Sequence, residues 1–287
     1  MYRYLLIAAL GAGALAAART DGLAAAETPA AGERIPPAQE PFRWSGRLAQ
    51  GKTIEVKGVS GTIRALPASG REVEVVAVRR AGRSDPESVR IEVVPHEDGV
   101  TVCAVYPRGS SRGRRTEERR EPAGENRCEA GDWRELNVQD NDVRVDFTVR
   151  VPAGVRLAAR NVSGDVEAEG LRGYVEARSV SGDVRLSTTG YGEASTVSGG
   201  IFASLGSAAW TGGLDFSTVS GDVTVELPAR ASTDVRIRTM SGEIETDFPL
   251  DVERRSMRRS VRGTLGSGGR ELSVTTLSGD VRLRRAR

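Results

Sequence analysis

From Phe42 onward, apolar and polar residues alternate with a period of two, the pattern of strands that bury one face. No stretch of that region keeps apolar residues at helical spacing between caps for ten residues. A tripeptide punctuates the alternation: an apolar residue, then serine, then glycine. It occurs seven times, with its glycines at Gly61, Gly164, Gly182, Gly199, Gly221, Gly242 and Gly279. From the second copy to the sixth the glycines step by 18, 17, 22 and 21 residues, and the last step is 37, near two periods. Two residues past each glycine stands an apolar residue: Ile63, Val166, Val184, Ile201, Val223, Ile244 or Val281. Upstream, Leu157, Ala159, Val175, Ala177, Leu214, Phe216, Val235, Ile237, Leu272 and Val274 face one way, and Glu176, Arg178, Asp215, Arg236 and Arg238 face the other. Each copy therefore predicts a strand, a Ser-Gly corner and a second strand.

Glycine at the corner supplies a positive φ or a tight approach of backbones without a Cβ. An aspartate follows it in four copies, Asp165, Asp183, Asp222 and Asp280, where a carboxylate can accept turn N–H groups. Ahead of the apolar residue sits a small polar one (Asn161, Ser179, Thr196, Thr218, Thr239 or Thr276), so stacked copies predict a hydrogen-bonded ladder. One strand–corner–strand unit cannot bury its apolar side alone, but stacked units cover one another. The pattern predicts an all-β fold, a β-helix-like solenoid of about 18–22 residues per turn. Eight to ten turns at roughly 4.8 Å each make a rod of about 40–50 Å.

The region 42–156 is less regular. Strands are expected over 72–78, 88–94 and 100–105, with a hairpin turn at Glu97-Asp98-Gly99, and over 142–151, ended by Pro152 and Gly154. This region reads as more β structure continuous with the solenoid, an N-terminal cap on the regular repeats of 157–287 with the disulfide loop protruding, all within one domain, 42–287. A second insertion is expected over 247–270. Arg282, Arg284, Arg285 and Arg287 are expected to charge the last open strand edge.

Composition agrees with thin layers: 34 of 287 residues are glycine, while only 5% are aromatic. Pro is too scarce for a disordered proline-rich chain, and glycine lacks the three-residue period of collagen. Basic residues number 41 and acidic ones 39, interspersed, which gives no global case for nucleic acid or an anionic membrane as partner.

At the N-terminus, Arg3 precedes an apolar run over 5–18, too short to span a bilayer comfortably, and small residues follow at 16–18 and 24–26. This predicts a secretory signal peptide within 1–26, cleaved after Ala18 or Ala26, then a flexible linker over 27–41, with no transmembrane helix beyond the signal. Export to the periplasm, the cell surface or the medium would place the two cysteines in an oxidising compartment. Cys103 and Cys128 are expected to form a disulfide closing a solvated, Arg- and Glu-rich loop, worth roughly 3 kcal/mol.

The run VRVPAGV at 149–155, the VSGDV copies, and GTLGSG at 263–268 before the final LSGDV copy resemble a bacterial β-strand-repeat domain of unknown function known as a candidate adhesin. The resemblance covers about 53–285. It implies an exported or envelope β-solenoid and brings no catalytic residues with it.

Candidate chemistry is thin. The corner serines lack a nucleophile elbow, and the one histidine, His96, lies at a hairpin turn where solvent exposure is expected. The aspartate column falls once per repeat, too sparsely for a calcium roll, and is broken by Gly200 and Glu243. Trp44, Trp133 and Trp210 could stack on sugars or anchor the core, and the Arg-rich loop at 108–127 could meet an anionic polymer. The expectation is an exported, non-enzymatic adhesive or structural module of the envelope whose partner is a surface polymer or protein. No catalytic, cofactor-binding or metal-ligating residue is expected. The alternative is a β-helix protein that binds or cleaves carbohydrate.

Overall fold

The computed structural model describes residues 40–108, 126–131, 138, 140–207, 209–210, 212–250, 252–255 and 258–286. The expected signal peptide and most of the linker lie outside them. The regular repeats begin with β8 (Arg156–Arg160) and β9 (Val166–Leu171), followed by β10 (Val175–Arg178) and β11 (Val184–Thr188). Next come β12 (Gly192–Ser195) and β13 (Ile201–Leu205), then β14 (Leu214–Ser220) and β15 (Val223–Leu227). In each pair the first strand belongs to one sheet and the second to the other. Successive pairs lie parallel and in register, with Val175 between Leu157 and Gly192, and Val184 between Val166 and Ile201. Period two turns Leu157, Val175, Leu214 and Phe216 toward Val166, Val184, Ile201 and Val223, and all eight are buried.

The first copy, β2 (Thr53–Lys57) and β3 (Ile63–Pro67), docks directly on the second: β2 pairs with β8 and β3 with β9. The interval between them supplies β4 (Glu72–Arg80), a 3-10 turn at Pro86–Ser88, β5 (Arg90–His96), β6 (Gly99–Val105) and β7 (Arg144–Val151). β6 runs parallel to β2 and β7 parallel to β3, so they form one further layer in which the segment 106–143 replaces the Ser-Gly corner. Antiparallel neighbours finish that end: β5 on β6, β4 on β7, and β1 (Phe42–Arg47) on β4.

The other end departs further from expectation. After β16 (Thr233–Ser241) and β17 (Ile244–Thr246), the expected insertion forms a hairpin, β18 (Val252–Arg255) and β19 (Arg258–Leu265), with β19 antiparallel to β16. The chain then turns back. β20 (Glu271–Ser278) lies between β14 and β16, and β21 (Val281–Arg285) lies between β15 and β17. The seventh repeat is thus an interior layer, and the corner serines stack in the order 60, 163, 181, 198, 220, 278, 241. The expectation that the last arginines guard an open edge is corrected accordingly. Arg282 pairs with Asp222 at 3.1 Å and Asp280 at 2.9 Å, and Arg284 with Asp247 at 3.0 Å and also with Glu245, tying β21 to both neighbours. Neither sheet closes on itself; their edges are β1 and β17 in one and β18 and β5 in the other. Among the described residues the 3-10 turn is the only helical element.

The corners explain the repeat. Each corner glycine holds φ between +116° and +157°, and a Cβ there would overlap backbone of the adjoining layer. The carbonyl of that glycine is satisfied by the small polar residue of the next layer. Thr196, Thr218 and Thr276 each donate a hydroxyl at 3.0 Å, to Gly182, Gly199 and Gly221 respectively. Ser179 and Thr239 do the same to Gly164 and Gly279, and the Asn161 amide serves Gly61. The ladder therefore runs from side chain to backbone, not from side chain to side chain. We expect Thr218→Val, which keeps the shape and leaves the half-buried Gly199 carbonyl without its partner, to cost about 1 kcal/mol in chemical denaturation. An unchanged unfolding midpoint would deny the ladder this role.

The aspartates bind one layer further along. Asp165 accepts the N–H of Asp183 at 2.9 Å, Asp183 that of Gly200 at 2.8 Å, and Asp222 that of Asp280 at 2.8 Å. That N–H and the Arg282 guanidinium hold the Asp222 carboxyl below its usual range. The apolar residue of the tripeptide turns outward at the corner: Val180, Val197, Val219, Leu277 and Met240 are 40–48% exposed.

The segment joining β6 to β7 is tied down at its ends. Tyr106 donates its hydroxyl to the Val143 carbonyl at 2.8 Å, and burial pushes that phenol up to about 12. Asp142 accepts the N–H groups of Arg83 and Ser84, each at 2.8 Å, which draw its carboxyl down to about 2. A carboxyl depressed by folding adds stability above its unfolded value and loses it as the pH falls through the folded one. The gap in melting temperature between the protein and Asp142→Asn should be constant from neutral pH to about 5 and vanish toward pH 2. A gap independent of pH would contradict this assignment.

Candidate functional site

The outward positions of β8, β10, β12 and β14 form ordered rows. The register aligns Ala158, Glu176, Glu193 and Asp215 in one row and Arg160, Arg178, Ser195 and Ser217 in the next. Tyr174 and Tyr191 stand one residue ahead of β10 and beside the start of β12, in adjoining layers. Their carbonyls accept from Leu157 and Val175, so the backbone stacking fixes the rings together. The ring centroids lie 5.5 Å apart at an angle of 58°. The Arg156 guanidinium sits 5.7 Å from the Tyr174 centroid.

These side chains line a pocket of about 410 Å³, with Thr53 at one end and Gly212 and Gly213 at the other. A smaller recess of about 150 Å³ adjoins it through the shared Glu193 and is lined by Arg178, Ser195, Asp215 and Ser217. The Tyr174 hydroxyl donates to the Glu193 carboxylate. Burial first, and then that carboxylate, raise the Tyr174 phenol well above its ordinary value.

The rest of the polar cluster is locked from one side. Glu176 meets Arg160 at 3.0 Å and Arg178 at 2.8 Å, and Arg160 also meets Glu55 at 2.9 Å. Glu55, nearly buried, accepts the Thr101 hydroxyl at 2.7 Å and the Gly131 N–H at 3.0 Å. Lys57 donates to the Glu129 carbonyl at 2.5 Å. Removing one partner of such a buried pair costs about 3–5 kcal/mol, so this network holds Glu176 in place at the floor of the pocket. The arrangement suits holding a polar ligand against two rings.

Residues singled out from the sequence fall mainly elsewhere. Cys103 on β6 and Cys128 are bonded to each other, with Cα atoms 5.6 Å apart. Residues 109–125 of the loop they close, including most of its arginines, lie outside the described residues, as does Trp133. The corner glycines and serines run along one side of the stack as structural elements. Trp210 is 1% exposed and belongs to the core, and Trp44 is half-buried against it. His96 is half-buried, not exposed as expected, with Nε2 3.2 Å from the Thr101 hydroxyl. Among the described residues no three His, Cys, Asp or Glu side chains come together as a metal site. The two tyrosines were missed, although the sequence carries their signal: GYVEA at 173–177 and GYGEA at 190–194 are one motif repeated a layer apart.

Layers of strand, glycine corner and strand, stacked in register, define an all-β repeat protein. The family model of Toastrack DUF4097, a domain of unknown function, matches residues 49–284, and the chain belongs to that family. Among solved structures it is similar to a candidate cell adhesion protein from Clostridium sporogenes. The identity is 10% and the TM-score 0.43, over 86% of this chain and 100% of that one. It is also similar to a candidate adhesin from Bacteroides fragilis, at 11% identity and a TM-score of 0.34, over 87% and 99%. No curated protein matches. Among the described residues no helix is long and apolar enough to cross a membrane.

Proposed function

We propose that the protein is an exported, non-enzymatic β-solenoid of the cell envelope, eight layers deep, that presents a rigid outer face to a surface polymer or protein. The observation that carries the reading is the state of the carboxylates around the pocket. Glu176 is held by two guanidiniums and Glu193 by a tyrosine hydroxyl, an arrangement for recognition instead of acid–base turnover. The disulfide suits an oxidising compartment outside the cytoplasm. The test is to incubate the purified protein with a panel of envelope and surface polymers and follow both retention and soluble products. Retention without product is expected; release of sugar or any other fragment would overturn the non-enzymatic reading.

A further inference from the structure

We propose that the pocket at Tyr174 and Tyr191 is a binding site for a neutral oligosaccharide. One sugar unit would lie with its C–H face on the Tyr191 ring, and the next would reach the recess beyond Glu193. This rests on the binding-module reading above and names the ligand class. The volume of about 410 Å³ lies in the range of small-ligand sites, about 300–1,000 Å³. The choice among ligand classes comes from charge. An anionic polymer would find Arg156 beside the Tyr174 ring but would also meet the Glu193 and Asp215 carboxylates, while Arg160 and Arg178 are paired with Glu55 and Glu176. A cationic polymer would find Glu193 and Asp215 but would also meet Arg156 and Arg178, and Glu176 is already paired with Arg160 and Arg178. A ring carrying hydroxyls needs neither sign of charge, because it can share the remaining lone pairs and N–H groups without breaking a pair.

The aromatic component fits as well. The negative face of a phenol ring attracts the positive C–H edge of an apolar surface while its hydroxyl stays wet. Among the described residues the Tyr191 hydroxyl has no hydrogen-bond partner, whereas that of Tyr174 is committed to Glu193. Tyr191, packed on one side against the core and lining the pocket with its hydroxyl uncommitted, is the ring the site offers to a ligand, and Tyr174 is the positioning group that sets Glu193. Gly212 lines the pocket, and among the described residues a Cβ there would meet nothing within 4 Å. Two recesses sharing one carboxylate favour a ligand of at least two units over a single sugar.

The test is calorimetric titration of the full chain with soluble glucan, mannan and galactan oligosaccharides, with dextran sulfate and a polylysine peptide as charged controls. Binding of at least one neutral glycan is expected, changing less than twofold between 50 and 500 mM salt. Tyr191→Ala should weaken it at least tenfold, and Gly212→Phe, which fills the pocket, should abolish it, both with melting temperatures within about 2 °C of the parent. No binding to any neutral glycan overturns the proposal, as does undiminished binding in both variants or a preference for either charged control. The two readings fail separately. Product release would remove the non-enzymatic module but leave the site, whereas polymer retention insensitive to both variants would remove the site but leave the module.

Discussion

Gly199→Val should prevent a stable fold. Gly199 sits at φ +150°, a conformation an L side chain adopts only under strain, and its Cβ would overlap the Gly182 carbonyl, with Asp183 nitrogen 3.1 Å away. The strained backbone alone costs about 1–3 kcal/mol. The overlap adds to it, because the obstacle is backbone bonded to both neighbouring layers and has no flexible end to move aside. The Gly199 carbonyl also receives the Thr218 hydroxyl, so displacing the corner disturbs the layer on its other side. A total above roughly 4 kcal/mol would be exceptional for one substitution. It would consume much of an ordinary domain's stability, about 5–15 kcal/mol. A melting point at least about 8 °C lower, or no soluble protein, is the expected readout. Gly70→Ala is the control: nothing lies within 4 Å of its Cβ and its φ is ordinary, so its melt should match the parent's or rise slightly. If Gly199→Val melts with the parent, the corners are not in the close contact described.

Ending the chain after Gly269 should be as damaging, although it removes a small fraction of the residues. β20 bonds to β14 and β16, and β21 to β15 and β17, so their loss opens a gap instead of trimming an edge. Leu272, Val274, Val281 and Leu283 are each 0% exposed. Losing their burial removes roughly 6–12 kcal/mol, and the two layers flanking the gap face each other with unpaired backbone. The expected product has no cooperative melt and is digested by protease under conditions the parent survives. Removing residues 40–47 is the comparison. β1 pairs with β4 alone and lies at an edge, so that shortened chain should stay folded and lose only a few degrees. Equal damage from both deletions would contradict the interior position of the seventh repeat.

The parts legible in the sequence are those written in local pattern. Alternation placed Leu157, Val175 and Phe216 inside, the glycines marked the corners, and Thr218 and its counterparts marked the ladder, because each depends only on neighbours in the chain and on a repeat. The order of layers was not legible. Glu271 to Ser278 carries the same alternation as any other copy, and pairing between parallel strands leaves no trace in the period of either. The 37-residue step hinted at an extra element but not at a return between earlier layers. The layer of β6 and β7 escaped because it has no Ser-Gly corner. At Val197 and its equivalents, hydrophobicity misleads about burial, since the tight corner leaves that side chain no core to enter. Tyr174 and Tyr191 were legible in principle as a repeated GY-x-EA motif, but rings so scarce were weighed as composition and not by position.

The seventh repeat also sets the order in which the protein becomes itself. In most stacked-repeat chains each unit can settle on the one made before it, and a shortened product is simply a shorter protein. Here the sixth unit is synthesised ahead of the layer that joins it to the stack, and only the hairpin strand β19 flanks it until residues 271–285 arrive. A product that includes β16 and β17 but stops before Glu271 therefore carries its defect inside the stack, with unpaired strands on both sides of the gap. A chain that ends between Thr246 and Glu271 thus exposes backbone inside the stack, and the residues up to Arg285 are what cover it.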